Sequence, residues 1–321
     1  MEIFNPNSKI DFMRWGKVSL GVALMFMVIA VAILSTRGLS YGLDFTGGTS
    51  VEVGYEKSIS VAEVRQALTA GGFDNAVVQT FGGTNDFAIR IVSEKGDGKA
   101  TEASATAAND KLAARVLSAL RAMRPDAQVK SSEFVGAQVG EELRNNGLIA
   151  VLFVVVGITI YLWIRFEWRF AIAAIASEVH DTLFTIGVFA LTGREFDLPA
   201  LAAVLSVIGY SINDTIVVFD RVRETFRSSR KGNPAEILNR SINTTLSRTI
   251  MTSTTTALAV GALYFIGGPA LESFGLIMLI GILIGTLSSI FIANPMILLL
   301  GISKQDLMPM TKNDPELERR P

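Results

Sequence analysis

Six stretches of the chain are almost wholly apolar: residues 18–35, 147–164, 170–191, 198–219, 249–266 and 274–300. A helix rises about 1.5 Å per residue, so about 20 apolar residues cross a hydrocarbon core of ~30 Å. The pattern predicts six membrane-spanning helices. Between the first and second spans, over residues 38–146, it changes to short alternations and amphipathic periods separated by polar residues. Alternation over 49–56 predicts a strand. A serine opens a helical period over 60–70, which Gly71 and Gly72 end. Residues 76–81 and 87–92 predict strands joined by a turn at 82–86, followed by a polar loop over 94–101. An alanine-rich helix over 103–123 stops before Pro125, and 128–134 predicts a last strand. The order β-α-β-β-α-β predicts a ferredoxin-like α+β domain between spans one and two.

Charge orients this architecture. Lys9, Arg14 and Lys17 precede span one, and Arg165 and Arg169 flank the turn between spans two and three. Arg221, Arg223, Arg227, Arg230, Lys231 and Arg240 crowd the segment 220–247. The opposite connections, 192–197 and 267–273, carry little positive charge. By the excess of Lys and Arg in cytoplasmic loops, the N-terminus (1–17), the basic loop 220–247 and the tail (301–321) are expected in the cytoplasm, and domain 38–146 outside. Ala30-Val31-Ala32 resembles a small-residue cleavage site, but apolar residues continue on both sides, which predicts an uncleaved anchor.

Within the spans a few polar residues stand out. On span four, Ser206, Tyr210, Asn213 and Asp214 fall at i, i+4, i+7 and i+8, one helix face. Arg248, Thr252, Thr255 and Thr256 repeat that spacing on span five. Ser177, His180, Asp181 and Thr185 form a stripe on span three, with Glu178 at its edge. Stripes of this kind are expected to turn inward, where polar groups satisfy each other. Ionisable groups in spans mark ion or proton paths. Asp214 and Arg248 lie at compatible depths and are expected to pair, with low dielectric and a guanidinium acting in opposite directions on the carboxylate. The competing expectation is a permanent ion pair that fixes helix register. His180 is equally consistent with packing, and each threonine with a bond to its own helix.

Composition narrows the chemistry. The chain has 321 residues, 50% of them hydrophobic, and a formal net charge of -1, which gives no case for nucleic-acid binding. With no cysteine and one histidine, thiol nucleophiles, disulfides and Cys- or His-rich metal sites are excluded, and no metal is expected. The outer domain shows no catalytic cluster. Gly42, Gly47 and Gly48, permissive at unusual dihedrals, are candidates for a hinge between it and the membrane part, or simply let the chain leave the bilayer and enter a strand. Gly281, Gly285 and Ser289 form a small-xxx-small ladder suited to close helix packing.

Several phrases together resemble one family. They are Gly42-Leu43-Asp44-Phe45-Thr46-Gly47-Gly48-Thr49, Glu133-Phe134-Val135-Gly136 and Val139-Gly140, Arg165-Phe166-Glu167-Trp168-Arg169, and His180-Asp181. With them come Val207-Ile208-Gly209-Tyr210-Ser211-Ile212-Asn213-Asp214, Asp220-Arg221-Val222-Arg223-Glu224, and Arg248-Thr249-Ile250-Met251-Thr252-Ser253. The chain resembles the SecF family of bacterial protein-export membrane proteins, part of the SecD/SecF group within the resistance-nodulation-division (RND) superfamily. The resemblance implies an RND-type half-bundle in the inner membrane, completed by SecD, and association with the SecYEG channel and often YajC. It also implies late translocation of preproteins driven by the proton-motive force, with protons as the coupling ion and no other cofactor. The family's essential aspartate maps onto Asp214 and its essential arginine onto Arg248. Two other functions compete. One is a proton-coupled small-molecule transporter of the same superfamily. The other is an intramembrane aspartyl protease using Asp181 and Asp214, against which stands the lack of a Gly-x-Gly-Asp phrase at Asp214.

Overall fold

The computed structural model describes residues 9–80, 85–91, 102–228 and 233–302, with the side chains of 102–108 excepted. The turn expected at 82–86 lies largely, and the polar loop expected at 94–101 wholly, outside these residues. Among them, six long apolar helical segments have the length and hydropathy to cross a membrane. The first is α1 (Gly16–Thr36), after which the chain makes a two-residue strand β1 (Ser40–Tyr41) and one helical turn α2 (Leu43–Thr46). The outer domain follows as β2 (Gly48–Gly54), α3 (Val61–Ala70), β3 (Val77–Thr80), β4 (Asp86–Ile91), α4 (Glu102–Met123) and β5 (Gln128–Val135). The remaining spans are α5 (Ala137–Arg165), α6 (Trp168–Thr192), α7 (Leu198–Ser228) and α8 (Pro234–Ile266), then α9 (Pro269–Ser288) with its continuation α10 (Asn294–Leu299). A short strand β6 (Glu195–Phe196) lies between α6 and α7.

The outer-domain elements lie close to their expected limits because their signals are local. Ser60 caps α3 through a capping box with Glu63: its hydroxyl accepts from the Glu63 amide, and the Glu63 carboxylate accepts from the Ser60 amide. Such a cap contributes about 1 kcal/mol. The strands form an antiparallel sheet in the order β3-β4-β2-β5. Period-2 burial places Val51, Val53, Phe87 and Ile89 against Val64 and Leu68 of α3 and Val116 and Leu120 of α4, all essentially inaccessible.

The membrane part departs from the expected limits in three places. The segment read as a basic loop, 220–247, is mostly helix, since α7 runs on to Ser228 and α8 begins at Pro234. Pro234 at the helix start needs no amide partner, and the Asn233 side chain accepts from the Ala235 amide. The fifth helix therefore extends well before its apolar part. Span two likewise begins ten residues earlier than its apolar run, at Ala137, immediately after β5. The sixth span is not α-helical throughout: a π-helical turn at Ser289–Ala293 lies between α9 and α10. Pro295 has no amide to donate to the Phe291 carbonyl, which accepts from Ser19 of α1 instead (2.6 Å), and the Asn294 side chain donates to the Ser289 carbonyl at 2.6 Å. At this end of the bundle the N-terminal segment docks on α8, with the Met13 amide donating to Asn239 Oδ1 (3.0 Å) and Asn239 Nδ2 to Asp11 (2.7 Å).

A packed joint connects the outer domain to the bundle. β1 pairs in parallel with β6, Asp44 accepts from the Leu198 amide and so satisfies the start of α7 (2.9 Å), and Phe45 stacks on Phe196. Gly47 has φ +66°, and a Cβ there would lie 2.7 Å from the Ala137 Cα, so only glycine fits. Gly48 also has positive φ, whereas Gly42 has ordinary dihedrals and lies tight against Asp197. Any hinge motion at these glycines must break this packing. From the sheet, Arg90 closes the joint by donating to the Tyr41 carbonyl and pairing with Glu195 at 3.5 Å.

Burial pushes the Glu195 carboxyl above the usual range, and Arg90 opposes that. Removing Arg90 therefore leaves Glu195 raised further. A carboxyl raised in the folded state contributes stability below its unfolded value, and that contribution is lost as pH rises through the raised value. In Arg90→Ala, amide exchange across 40–48 and 195–198 should increase and should increase more at higher pH, after correction for intrinsic exchange. The β2–β4 pairing should stay protected. Unchanged exchange at the joint would show that Arg90 does not hold it.

Candidate intramembrane polar site

The apolar residues of α7 divide between two cores, one shared with α9 above and one with α6, α8 and α10 below. That packing sets the rotation of α7, and with it the direction of each polar residue. Ser211, Asp214 and Thr215 are buried, while Ser206, Gly209 and Asn213 are exposed on the outer face of the bundle and Tyr210 lies at its edge.

Asp214 is 3% exposed, and its Oδ2 atom has no hydrogen-bond partner among the described residues. Two side chains of α8 act on it, Ser253 at close range and Arg248 through its charge. Ser253 in turn bonds the Thr249 carbonyl (2.8 Å) and shares a hydrogen bond with Thr286 of α9 (2.6 Å). Three helices thus meet at Asp214, Ser253 and Thr286.

The expected stripe of α8 is turned away from this point. Arg248 and Thr255 are exposed, and Thr252 and Thr256 only partly buried. Thr252, Thr255 and Thr256 each bond carbonyls of their own helix. Arg248 makes no ion pair with Asp214 within 4.0 Å. The inward stripe is instead Thr249, Ser253 and Val260. Successive residues of a helix differ by about 100°, so an arginine one position before a buried threonine points out of the packed face. Not all the polar stripes turn inward, then: Ser206, Asn213, Arg248 and Thr255 form a polar seam on the outside of this bundle.

The stripe of α6 does turn inward, and it forms a separate centre. Asp181 is fully buried and accepts from Ser211 of α7 (2.6 Å) and Ser288, the last residue of α9 (2.5 Å), at Oδ2, and faces His180 Nδ1 (3.0 Å) at Oδ1. Asp181 and Asp214 do not share a set of partners, so the two-carboxylate dyad required of an aspartyl protease is not assembled here. Ser253, Thr286, Ser211 and Ser288 are site residues that the stripe pattern did not single out. Ser211 and Ser253 lie inside the family phrases, but spacing gives each of the four only a hydroxyl inside an apolar run, which is common where threonine and serine bond their own helix. Among the described residues no group of acidic and histidine side chains is arranged to hold a metal ion.

This arrangement coincides with one known family. The model for the SecD/SecF protein export membrane protein C-terminal region matches residues 115–303, and that for the SecD/SecF GG motif matches residues 32–59, which include the joint. The SecF protein translocase subunit of Vibrio alginolyticus is 41% identical over 323 residues, covering 100% of this chain and 99% of the relative. That of Pseudomonas aeruginosa is 44% identical over 308 residues, covering 95% and 96%. The crystal structure of SecDF from Thermus thermophilus, a translocon-associated membrane protein, superposes with a TM-score of 0.80 at 35% identity. It covers 93% of this chain, which spans 39% of that longer one. A SecDF structure in a super-membrane-facing form superposes less closely, with a TM-score of 0.66 at 36% identity. Full-length identity to these subunits, together with both motif regions, makes this chain a member of the SecF family of protein translocase subunits.

Proposed function

We propose that this chain is the SecF-type half of a proton-driven machine for protein export, completed in the inner membrane by a SecD-type partner. It promotes the late movement of preproteins across the membrane and is not an enzyme. The observation that carries the proposal is the outer polar seam of Ser206, Asn213, Arg248 and Thr255, with Asp214 buried just behind it. Polar and charged side chains are costly against lipid and face protein or water instead. The apolar flanks differ: Phe153 and Ile164 of α5 are 78% and 81% exposed, as suits lipid contact. The homologous SecDF chain, in which the match occupies 39% of the length, supports a second half facing this seam.

In this function Asp214 takes up and releases the coupling proton, and Arg248 is its electrostatic partner. Asn213, Ser206, Tyr210, Thr252, Thr255 and Thr256 line the path between the halves. The unpartnered Asp214 Oδ2 leaves an acceptor free for that purpose. Asp181 and His180, also expected to line the path, are buried within the bundle on α6 rather than exposed on this seam. The N-terminal segment and the start of α8 meet at one end of the bundle, as expected if both are cytoplasmic, and the outer domain caps the other end in the periplasm. The outer domain's connectivity and strand order support a ferredoxin-like fold that transmits motion through the joint at Gly42, Gly47 and Gly48. SecYEG is the channel partner, often with YajC.

Cysteine substitution tests the seam directly, because the native chain has no cysteine. Single cysteines at Asn213 and Thr255 should crosslink to a co-expressed SecD-type protein. They should also react with small polar thiol reagents in the complex, with labelling that changes when the membrane potential is collapsed. If both positions crosslink only to lipid probes and never to the partner, the half-bundle proposal fails.

A further inference from the structure

The α6 centre has more acid than a single carboxylate needs. Asp181, with three donors converging on it, has the surroundings of an ionised group. His180 is 2% exposed; its Nδ1 lies 3.0 Å from Asp181 Oδ1 and its Nε2 has no partner. Glu178 lies one turn before Asp181 and Thr182. Its Oε1 accepts from Thr182 only at 3.5 Å, the limit of a hydrogen bond, and its Oε2 is buried without a partner. Ser177 and Thr185, each 1% exposed on the same stripe, also carry unpartnered hydroxyls.

The groups facing these carboxylates are few. Glu178 meets Asp181 and Thr182 of its own helix and Ser211 of α7; Asp181 meets His180, Ser211 and Ser288. The other helices packed on α6, which are α1, α5 and α10, bring no Lys or Arg to either one. Two neighbouring buried carboxylates with no Lys or Arg beside them do not both stay ionised, and the pair holds a proton between them. The hydrogen bonds decide its position, since Asp181 is saturated with donors and Glu178 is not.

We infer that Glu178 and Asp181 form a second proton-holding centre, with the proton on Glu178 Oε2, working alongside Asp214. Ser211 links the two. It donates to Asp181 and stands one turn before Asp214 on α7, so a charge change at one centre reaches the other across a single helix. The transport role of this centre rests on the proposed proton coupling; its protonation does not.

The test uses the complex with its SecD-type partner in lipid. Infrared spectroscopy should show the carbonyl stretch of a protonated carboxylic acid at neutral pH. That band should be lost in Glu178→Gln and retained in Asp214→Asn. In the same Glu178→Gln complex, proton-driven export should fall about tenfold, the change that ~1.4 kcal/mol makes. Should Glu178→Gln fail to assemble, Glu178→Asp keeps the acid and should shift the band rather than remove it. A band that survives Glu178→Gln, or ignores Glu178→Asp, overturns the protonated centre. Wild-type export in an assembled Glu178→Gln complex overturns its role in transport. Normal export in Asp214→Asn would instead sink the proton-carrier role of Asp214 and leave the Glu178 band as independent evidence.

Discussion

Asp214→Asn should stop proton-driven export while leaving the chain in the membrane at its normal abundance. Asparagine keeps the size of the side chain and its reach to Ser253, so packing between α7 and α8 is preserved. What it loses is the ability to change charge. One elementary charge moved through 100 mV is worth ~2.3 kcal/mol, which corresponds to about 50-fold in a rate or equilibrium. Vesicles containing the complete complex, assayed for export with and without an imposed potential, should lose the potential-dependent part by about that factor. Arg248→Met should act in the same direction, because it removes the cation that acts on Asp214 from the seam. Undiminished potential-dependent export in either variant would remove that residue from the mechanism. Arg248 is the sharper case, since it is exposed here and makes no close ion pair with Asp214. If it serves only to set helix orientation, its loss will change insertion rather than coupling.

The second large effect is expected at Gly281. In the α7–α9 contact a Cβ on Gly281 would lie 2.2 Å from Val207 Cγ2 and 2.6 Å from Cγ1, and Val207 is itself 2% exposed. One turn on, Gly285 lies against Ser211, the donor to Asp181. Gly281→Ala must therefore push α9 away from α7. Overpacking of this kind costs about 1–3 kcal/mol. The displacement also carries Thr286 away from Ser253 and Ser288 away from Asp181, so both polar centres loosen together. Thermal unfolding of the detergent-solubilised complex should move down by several degrees, and export should fall with it. Val207→Ala, which removes the two methyl carbons in the way, should restore much of the loss in the double variant. A Gly281→Ala complex as stable as the parent would show that α9 has room to move, contrary to the close approach described.

Much of this protein is determined locally. Apolar runs of sufficient length specified all six spans, since the bilayer imposes length and composition on each helix separately. In the outer domain, alternation marked β2, which β4 shares, and Ser60 marked the start of α3, because strand period and capping are properties of neighbouring residues. The full lengths of α5, α7 and α8 were hidden for a related reason: hydropathy reports where a helix meets lipid, and these helices continue past it on residues of mixed polarity.

Tertiary structure decided what no local pattern contains. β1 and β6 are two residues each and come from segments far apart in the chain; neither has the alternation of a strand until the other lies beside it. The π-helical turn in the sixth span involves Asn294 reaching the Ser289 carbonyl as well as Pro295. Most consequential is helix rotation. Spacing showed that Arg248, Thr252 and Thr255 share a face, and that Ser206 and Asn213 share another. Only packing decided that these faces point out of the bundle and that Thr249, Ser253 and Ser211 point in. Periodicity defines the stripe on a helix, but the direction of the stripe is set by the neighbours that fill the space beside it, and for this seam the neighbour we propose is the SecD-type half.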